Sequence, residues 1–377
     1  MDPIRVLALD GGGMRGLYSA TVLNTLASRF AQSRASDHLD IGKGFDLVVG
    51  TSTGAILAAA IVAGIRPNRV IRLYDEAGPR IFRDSMPPYD RSLKFRDRAR
   101  FYRWVVRHLG RAGNPNTALN SELREIFGNL TLGEVYVQRR IGLCISATSF
   151  LRHKPRVFKT PHLENKHRDN DLTLADACLA SSAAPIYLPL ASITADGLTG
   201  HAYADGGLWA NNPMLLGVIE GLALSVPEQP IIVMSVGTCS PPTGSRLPAE
   251  LDRGIIAWHG GVLPLELAMN AQVSATHFAV TLLADELKRL DKRVHILRCE
   301  ESMPSAEQAH VLRLDSASKE ARDLMKQLGN EDGQKTFRWC QLSGDCRGEV
   351  LSQIFETMPE INHSDTIRME GNRNEEL

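Results

Sequence analysis

The sequence carries no excess of either charge: among 377 residues, 43 lysines and arginines balance 43 aspartates and glutamates. That balance excludes the overall electrostatic pull that draws basic chains onto nucleic-acid polymers. Cysteine is scarce, with six in all, at Cys144, Cys178, Cys239, Cys299, Cys340 and Cys346. Only the last two lie close together, at a spacing unlike the short pairs that chelate zinc. Neither a disulfide scaffold nor a zinc site is expected, and the thiols read as reduced and cytosolic. A secretory leader is missing too. Met1-Asp2-Pro3 runs straight into an apolar strand-like stretch, so the mature chain is expected to begin here. With 43% hydrophobic and 23% charged residues, and no repeats or low-complexity linkers, disordered and collagen-like chains are excluded.

One run imitates a membrane span. Leu47 to Ile65 holds no charge over nineteen residues, close to the length a bilayer crossing requires. Gly50 and Gly54 interrupt it, its first part is strand-like and the rest is alanine-rich, so it reads as a strand followed by a helix.

What is present alternates. Ile4 to Leu9 is a strand pattern that stops at Asp10 and three glycines, after which Leu17, Ala20, Leu23, Leu26 and Ala27 recur at helical spacing. Phe45 to Val49 repeats the arrangement, leading through Gly50 to Gly54 into a helix at Ala55 to Ala63. Further strands are expected at Arg140–Ala147, Val157–Lys159, His201–Ala204, Ile231–Val236 and Val294–Cys299. Helices are expected at Leu174–Ala184, Met214–Leu224, Leu265–Leu290 and Ser316–Leu328, the last closed by Gly329 as its cap. The fold class is therefore α/β, with a mostly parallel central sheet flanked by helices on both faces. One catalytic domain over residues 1–330 is expected, with its motifs in 4–240. A C-terminal extension over 331–377 follows, loosely held beyond Pro359.

Three motifs can carry chemistry. Gly50-Thr51-Ser52-Thr53-Gly54 is a G-x-S-x-G between a strand and a helix, the setting in which a strained turn projects a serine hydroxyl as nucleophile. Asp10-Gly11-Gly12-Gly13-Met14-Arg15-Gly16 has two readings. Gly11, Gly13 and Gly16 satisfy the dinucleotide fingerprint G-x-G-x-x-G with Asp37 as ribose acid, although Asp37 belongs to a polar loop rather than a strand tip. Alternatively, the glycine amides, aided by Arg15, form an oxyanion hole. Tyr203-Ala204-Asp205-Gly206-Gly207 presents an aspartate at a strand end, where it could serve Ser52 directly as a base. A Ser-Asp-His triad stays formally open through His259, His277, His295 or His310, but none has a supporting pattern, and His277 reads as a core or boundary residue.

These elements, in this order over roughly residues 4 to 240, resemble the patatin-like phospholipase family, whose fold is related to the catalytic domain of cytosolic phospholipase A2. The resemblance implies a lipid acyl hydrolase of phospholipase A type working through an acyl-enzyme. Ser52 would be the nucleophile and Asp205 the general base of a Ser-Asp dyad. Gly11, Gly12, Gly13, Arg15 and Gly16 would form the oxyanion segment, and Gly50, Gly54, Gly206 and Gly207 would support the motifs. It also implies no metal and no organic cofactor, with membrane phospholipids as substrate. The competing classes are a dinucleotide-dependent Rossmann oxidoreductase and a catalytically silent patatin-fold ligand sensor.

Lys154 to His162, the Asp46 to Gly54 wording and the chain length are similar to bacterial patatin-like effectors of CBASS antiphage defence. That narrower resemblance implies activation by a cyclic dinucleotide and action from the cytoplasm at the inner face of the membrane. A homo-oligomer is compatible with it. Arg91 to Arg111 holds eight arginines and lysines against Asp97, with aromatics interleaved. It could face anionic lipid, grip the phosphates of a regulatory ligand, or simply be a solvated helix face.

Overall fold

The structure is a computed structural model describing residues 1–87, 95–164, 167–193, 201–239, 251–252, 254 and 258–361. Among the described residues, eight strands form one mixed sheet: β1 (Ile4–Leu9), β2 (Leu47–Thr51), β3 (Gly142–Ser149), β4 (Lys154–Lys159), β5 (Ala191–Ile193), β6 (His201–Asp205), β7 (Ile231–Val236) and β8 (Val294–Arg298). The order β3-β2-β1-β7-β8 is parallel throughout, while β4 and β6 pair antiparallel with β3, and β5 pairs antiparallel with β6.

Side chains alternate across this sheet, because successive residues of a strand point to opposite faces. Leu7, Leu9, Val48, Leu143, Ile145 and Met234 pack on one face beneath the helices Gly16–Ser33, Thr53–Val62, Leu174–Ser181 and Lys319–Arg338. Val6, Ala8, Leu47, Val49, Cys144 and Val233 pack on the other, with Met214 and Val218 of the Met214–Leu224 helix and Val280 of the Val262–Arg289 helix. Both faces are covered, as the apolar strands require. The uncharged run from Leu47 resolves into β2 and the ten-residue Thr53–Val62 helix, and among the described residues no helix is long and apolar enough to cross a membrane.

One register detail places the chemistry. β2 pairs with Gly142 to Ser146 of β3, and β6 pairs with Ala147 to Ser149. Because β4 pairs with Cys144 to Ser149, it occupies the opposite edge, so β2 and β6 share one edge of β3. They run head-on along it. Thr51 stands opposite Ser146 and Asp205 opposite Ala147, which brings the C-terminal ends of two strands distant in sequence to neighbouring rungs.

The expectation for Gly329 is corrected here: it caps nothing, and the helix Lys319–Arg338 runs through it. A Cβ at Gly329 would stand 2.7 Å from the Tyr18 carbonyl oxygen, and one at Gly333 would stand 2.8 Å from Thr25 Cβ. Glycine here permits a close crossing with the Gly16–Ser33 helix rather than a stop. Beyond it the helix Cys346–Phe355 packs back into the core, with Phe355 stacked on Phe30 at 4.7 Å. The loose tail expected beyond Pro359 falls mainly on residues 362–377, outside the described residues, while Glu360 bridges to Leu39.

Candidate active site

Ser52 follows the last residue of β2 and precedes the Thr53–Val62 helix, with φ 54° and ψ −121°. A non-glycine residue in that region is strained by roughly 1–3 kcal/mol and persists only when its surroundings hold it. Here the hold is visible. The Ser52 amide donates to Ser181 Oγ at 2.8 Å, and Thr51 Oγ1 donates to the Ala210 carbonyl while meeting Ser146 Oγ at 2.7 Å. The flanking glycines leave no room for side chains: a Cβ on Gly54 would lie 2.3 Å from the Leu9 carbonyl oxygen, and one on Gly50 would lie 2.5 Å from that of Gly54. Strand and helix thus press together and expel the serine side chain from between them.

The Ser52 hydroxyl donates to Asp205 Oδ2 at 2.7 Å. Asp205 is only 2% exposed, and its Oδ1 accepts the Gly207 amide at 2.6 Å. Its backbone is pinned on both sides, with its amide donating to Ala183 O and its carbonyl accepting from Thr148 Oγ1 at 2.9 Å each. Burial pushes its carboxyl up to about 6, against the opposing pull of the hydrogen bonds from Gly207 and Ser52. A carboxylate with that affinity for protons is a far better base near neutrality than an exposed aspartate.

The glycine loop faces the same space. Gly13 lines it with φ 59°, and a Cβ there would strike the Leu314 carbonyl at 2.2 Å. The Gly11 amide donates to Asn211 O at 2.8 Å, and the Gly16 amide turns back onto Gly13 and Met14. Among the described residues, Gly12 and Gly13 are left with amides that meet no protein acceptor. Arg15 is buried, with its Nε donating to the Gly12 carbonyl at 3.3 Å, so it braces the loop. Asp10, which opens the loop, is tied to Arg298 at 2.8 Å and is pushed up to about 6 by burial.

No histidine lines the site among the described residues. His277 is exposed on its helix, contrary to the core or boundary position expected, because that face of the Val262–Arg289 helix is turned to solvent. His295 and His310 are exposed as well, and the side chain of His259 lies outside the described residues. Asp37, the acid of the dinucleotide reading, sits exposed in a loop rather than at the tip of β2, and Thr238, Leu314 and Asn211 fill the space above the glycines.

Sequence reasoning did not reach the walls of the site: Ile56, Tyr74, Phe82, Tyr187, Leu188 and Met269 make it apolar. Thr53 was also missed: it lines the space beside Ser52, and its amide, first in a helix, has no intrahelical acceptor. The cavity itself measures about 40 Å³, room for roughly three water molecules.

Residues 7–217 match the patatin-like phospholipase family. At 32% identity over 334 residues, 88% of each chain, the sequence is similar to a cGAMP-activated phospholipase of Pseudomonas aeruginosa. The chain belongs to the patatin-like phospholipase family. The dinucleotide oxidoreductase reading falls with that finding. Other patatin-like relatives include a cGAMP-activated phospholipase of Vibrio cholerae, 26% identical over 89% of this chain and 92% of its own. Another is a cUMP-AMP-activated phospholipase of Escherichia coli, 31% identical over 62% of this chain and 64% of its own.

Proposed function

We propose that this chain hydrolyses fatty-acyl esters of membrane phospholipids through a Ser52–Asp205 dyad, and that a cyclic dinucleotide switches it on. The observation that carries the reading is the 2.7 Å hydrogen bond from a strained, preorganised serine to a buried carboxylate with raised proton affinity. As Ser52 Oγ bonds to the ester carbon, its proton passes to Asp205 Oδ2, and the carbonyl oxygen becomes an oxyanion facing the Gly12 and Gly13 amides. Collapse breaks the bond to the glycerol oxygen, which takes the proton from Asp205 and leaves as the lysophospholipid. Water then gives a proton to Asp205 and its oxygen to the acyl carbon. The acyl bond to Ser52 breaks, the proton returns to Oγ, and the fatty acid departs. A carboxyl near 6 can serve as base in one half and acid in the other.

Activation is supported by the relatives' names, cGAMP-activated and cUMP-AMP-activated, and by the narrowness of the cavity. With the dyad already assembled beside a narrow cavity, a switch would act by widening its walls rather than by building its chemistry. The setting we propose is the cytoplasm, at the inner face of the membrane, in antiphage defence. The test is fatty-acid release from phospholipid vesicles, with and without cGAMP or cUMP-AMP. Ser52→Ala should lower the stimulated rate about a thousandfold or more. An unchanged rate in Ser52→Ala would remove Ser52 as the nucleophile, and no release from the wild type under any condition would remove the hydrolase reading and leave a ligand sensor.

A further inference from the structure

Two backbone segments wall the cavity in front of Ser52 and do not end there. Ile81 and Phe82 line the cavity, and the next two residues, Arg83 and Asp84, line a second cleft. Tyr187 and Leu188 line the cavity, and the next residue, Pro189, lines the same cleft. This second space measures about 760 Å³ and is completed by Arg107, His108, Arg111 and Asn114, within the size range of small-molecule sites. Among the described lining residues, three arginines stand against Asp84 as the lone carboxylate, an excess of two positive charges. Asp84 is shared between Arg107 at 3.4 Å and His108 Nε2 at 3.2 Å, while Arg83 and Arg111 pair with no acid among the described residues.

The cleft is also wired to the cavity wall. The Gly113 amide donates to the Ile186 carbonyl at 2.8 Å and the Asn114 amide to the Tyr187 carbonyl at 2.9 Å. Asn114 Oδ1 accepts the Asp84 amide at 2.8 Å, so one side chain joins both segments. Between them stands Ile186 with φ 74°, a conformation that a β-branched residue adopts only under constraint. Tyr187 reaches on to Glu266 at 2.7 Å, on the helix that supplies Leu265 and Met269 to the cavity.

We infer that this cleft, between Arg83-Asp84 and Arg107 to Pro115, seats a ligand with two phosphodiester groups, and that its occupancy resets residues 186–188 to open the acyl cavity. The inference rests on the activation reading above and adds its location. Two phosphodiesters match the two uncompensated charges, and guanidinium groups favour such oxygens through charge-assisted hydrogen bonds. A concave cationic cleft suits a compact soluble ligand better than a planar lipid surface. The phosphodiester of an anionic lipid headgroup is the other source of the same chemistry, and the experiment separates the two.

The full-length chain and the double variant Arg107→Ala/Arg111→Ala are titrated with cGAMP and cUMP-AMP by calorimetry. Hydrolysis of a soluble short-chain ester is followed in parallel, and vesicles of phosphatidylcholine with or without phosphatidylglycerol form a separate arm. The expected result is at least about tenfold weaker nucleotide binding in the variant, a matching loss of stimulation at fixed nucleotide, and unchanged basal ester hydrolysis. Arg111→Glu, at an exposed position that tolerates the change, should behave the same way. A wild-type chain that responds to nucleotide, with variants that bind and respond equally, would overturn the site while leaving activation standing. A wild-type chain that binds neither nucleotide would overturn both. Variants that lose only their response to phosphatidylglycerol would assign the arginines to lipid and overturn the inference.

Discussion

Replacing Asp205 by asparagine should move activity and stability in opposite directions, and both magnitudes follow from the site. The asparagine oxygen can keep the Gly207 amide, but an NH2 group then faces Ser52 Oγ where a proton acceptor stood. With no histidine lining the cavity among the described residues to take over as base, turnover should fall by about 10³ to 10⁴. Stability should rise. Burial lifts the Asp205 carboxyl from 3.8 to about 6, so at pH 7.5 the folded state holds a carboxylate that it would prefer protonated. Keeping it ionised there costs about 3 kcal/mol, because the folded chain binds that proton roughly a hundredfold more tightly than the unfolded one. That penalty is present above the folded value and disappears as pH falls from about 6 toward 4, the unfolded value. For a chain this long, the asparagine variant should melt roughly 4 °C higher at pH 7.5 and match the wild type near pH 4. Thermal melts at the two pH values beside an ester-hydrolysis assay provide the comparison. Activity within tenfold of wild type, or no gain in stability at pH 7.5, would refute the account of Asp205 as a desolvated base.

The pH dependence of kcat/KM on a soluble ester should rise through a single ionisation near 6 and then level off, because Asp205 must be ionised to accept the Ser52 proton; a rise centred near 4 would mean the carboxyl is not desolvated. Arg298→Met would leave the buried Asp10 carboxylate without its 2.8 Å partner. That should cost about 3–5 kcal/mol at pH 8, with a smaller deficit at pH 5 where Asp10 takes up a proton; equal deficits at both pH values in denaturant melts would contradict this.

The parts of the site legible in the sequence were those whose meaning is local. Ser52 and Gly54 declare themselves because a strand, a tight turn and a small-residue helix must meet within a few positions, and Asp205-Gly206 marks another strand end. That these ends share one edge of β3 is a matter of register between segments some 150 residues apart, which no local pattern carries. The glycine loop was legible as a set of spare amides, but not which ones remain: Gly11 loses its amide to Asn211, a partner 200 residues away. Gly329 was misjudged because the same residue signals a helix stop and a close helix crossing, and the neighbouring helix decides between them. The apolar run at Tyr187 and Leu188 carries no motif, and its role beside Ser52 emerges only from packing. Of the cationic stretch Arg91 to Arg111, residues 91–94 lie outside the described residues. In the remainder, Phe101 and Trp104 turn inward, which leaves Arg107 and Arg111 on the cleft.

The claim on which the mechanism depends is that Ser52 is made nucleophilic by Asp205. Peptide mass spectrometry after treatment with a fluorophosphonate probe tests it directly. The account predicts one phosphonylated serine, in the peptide containing Ser52, formed rapidly in the wild type and at least about a hundredfold more slowly in Asp205→Asn. Labelling at another serine, or equal rates at Ser52 in the two proteins, would contradict it.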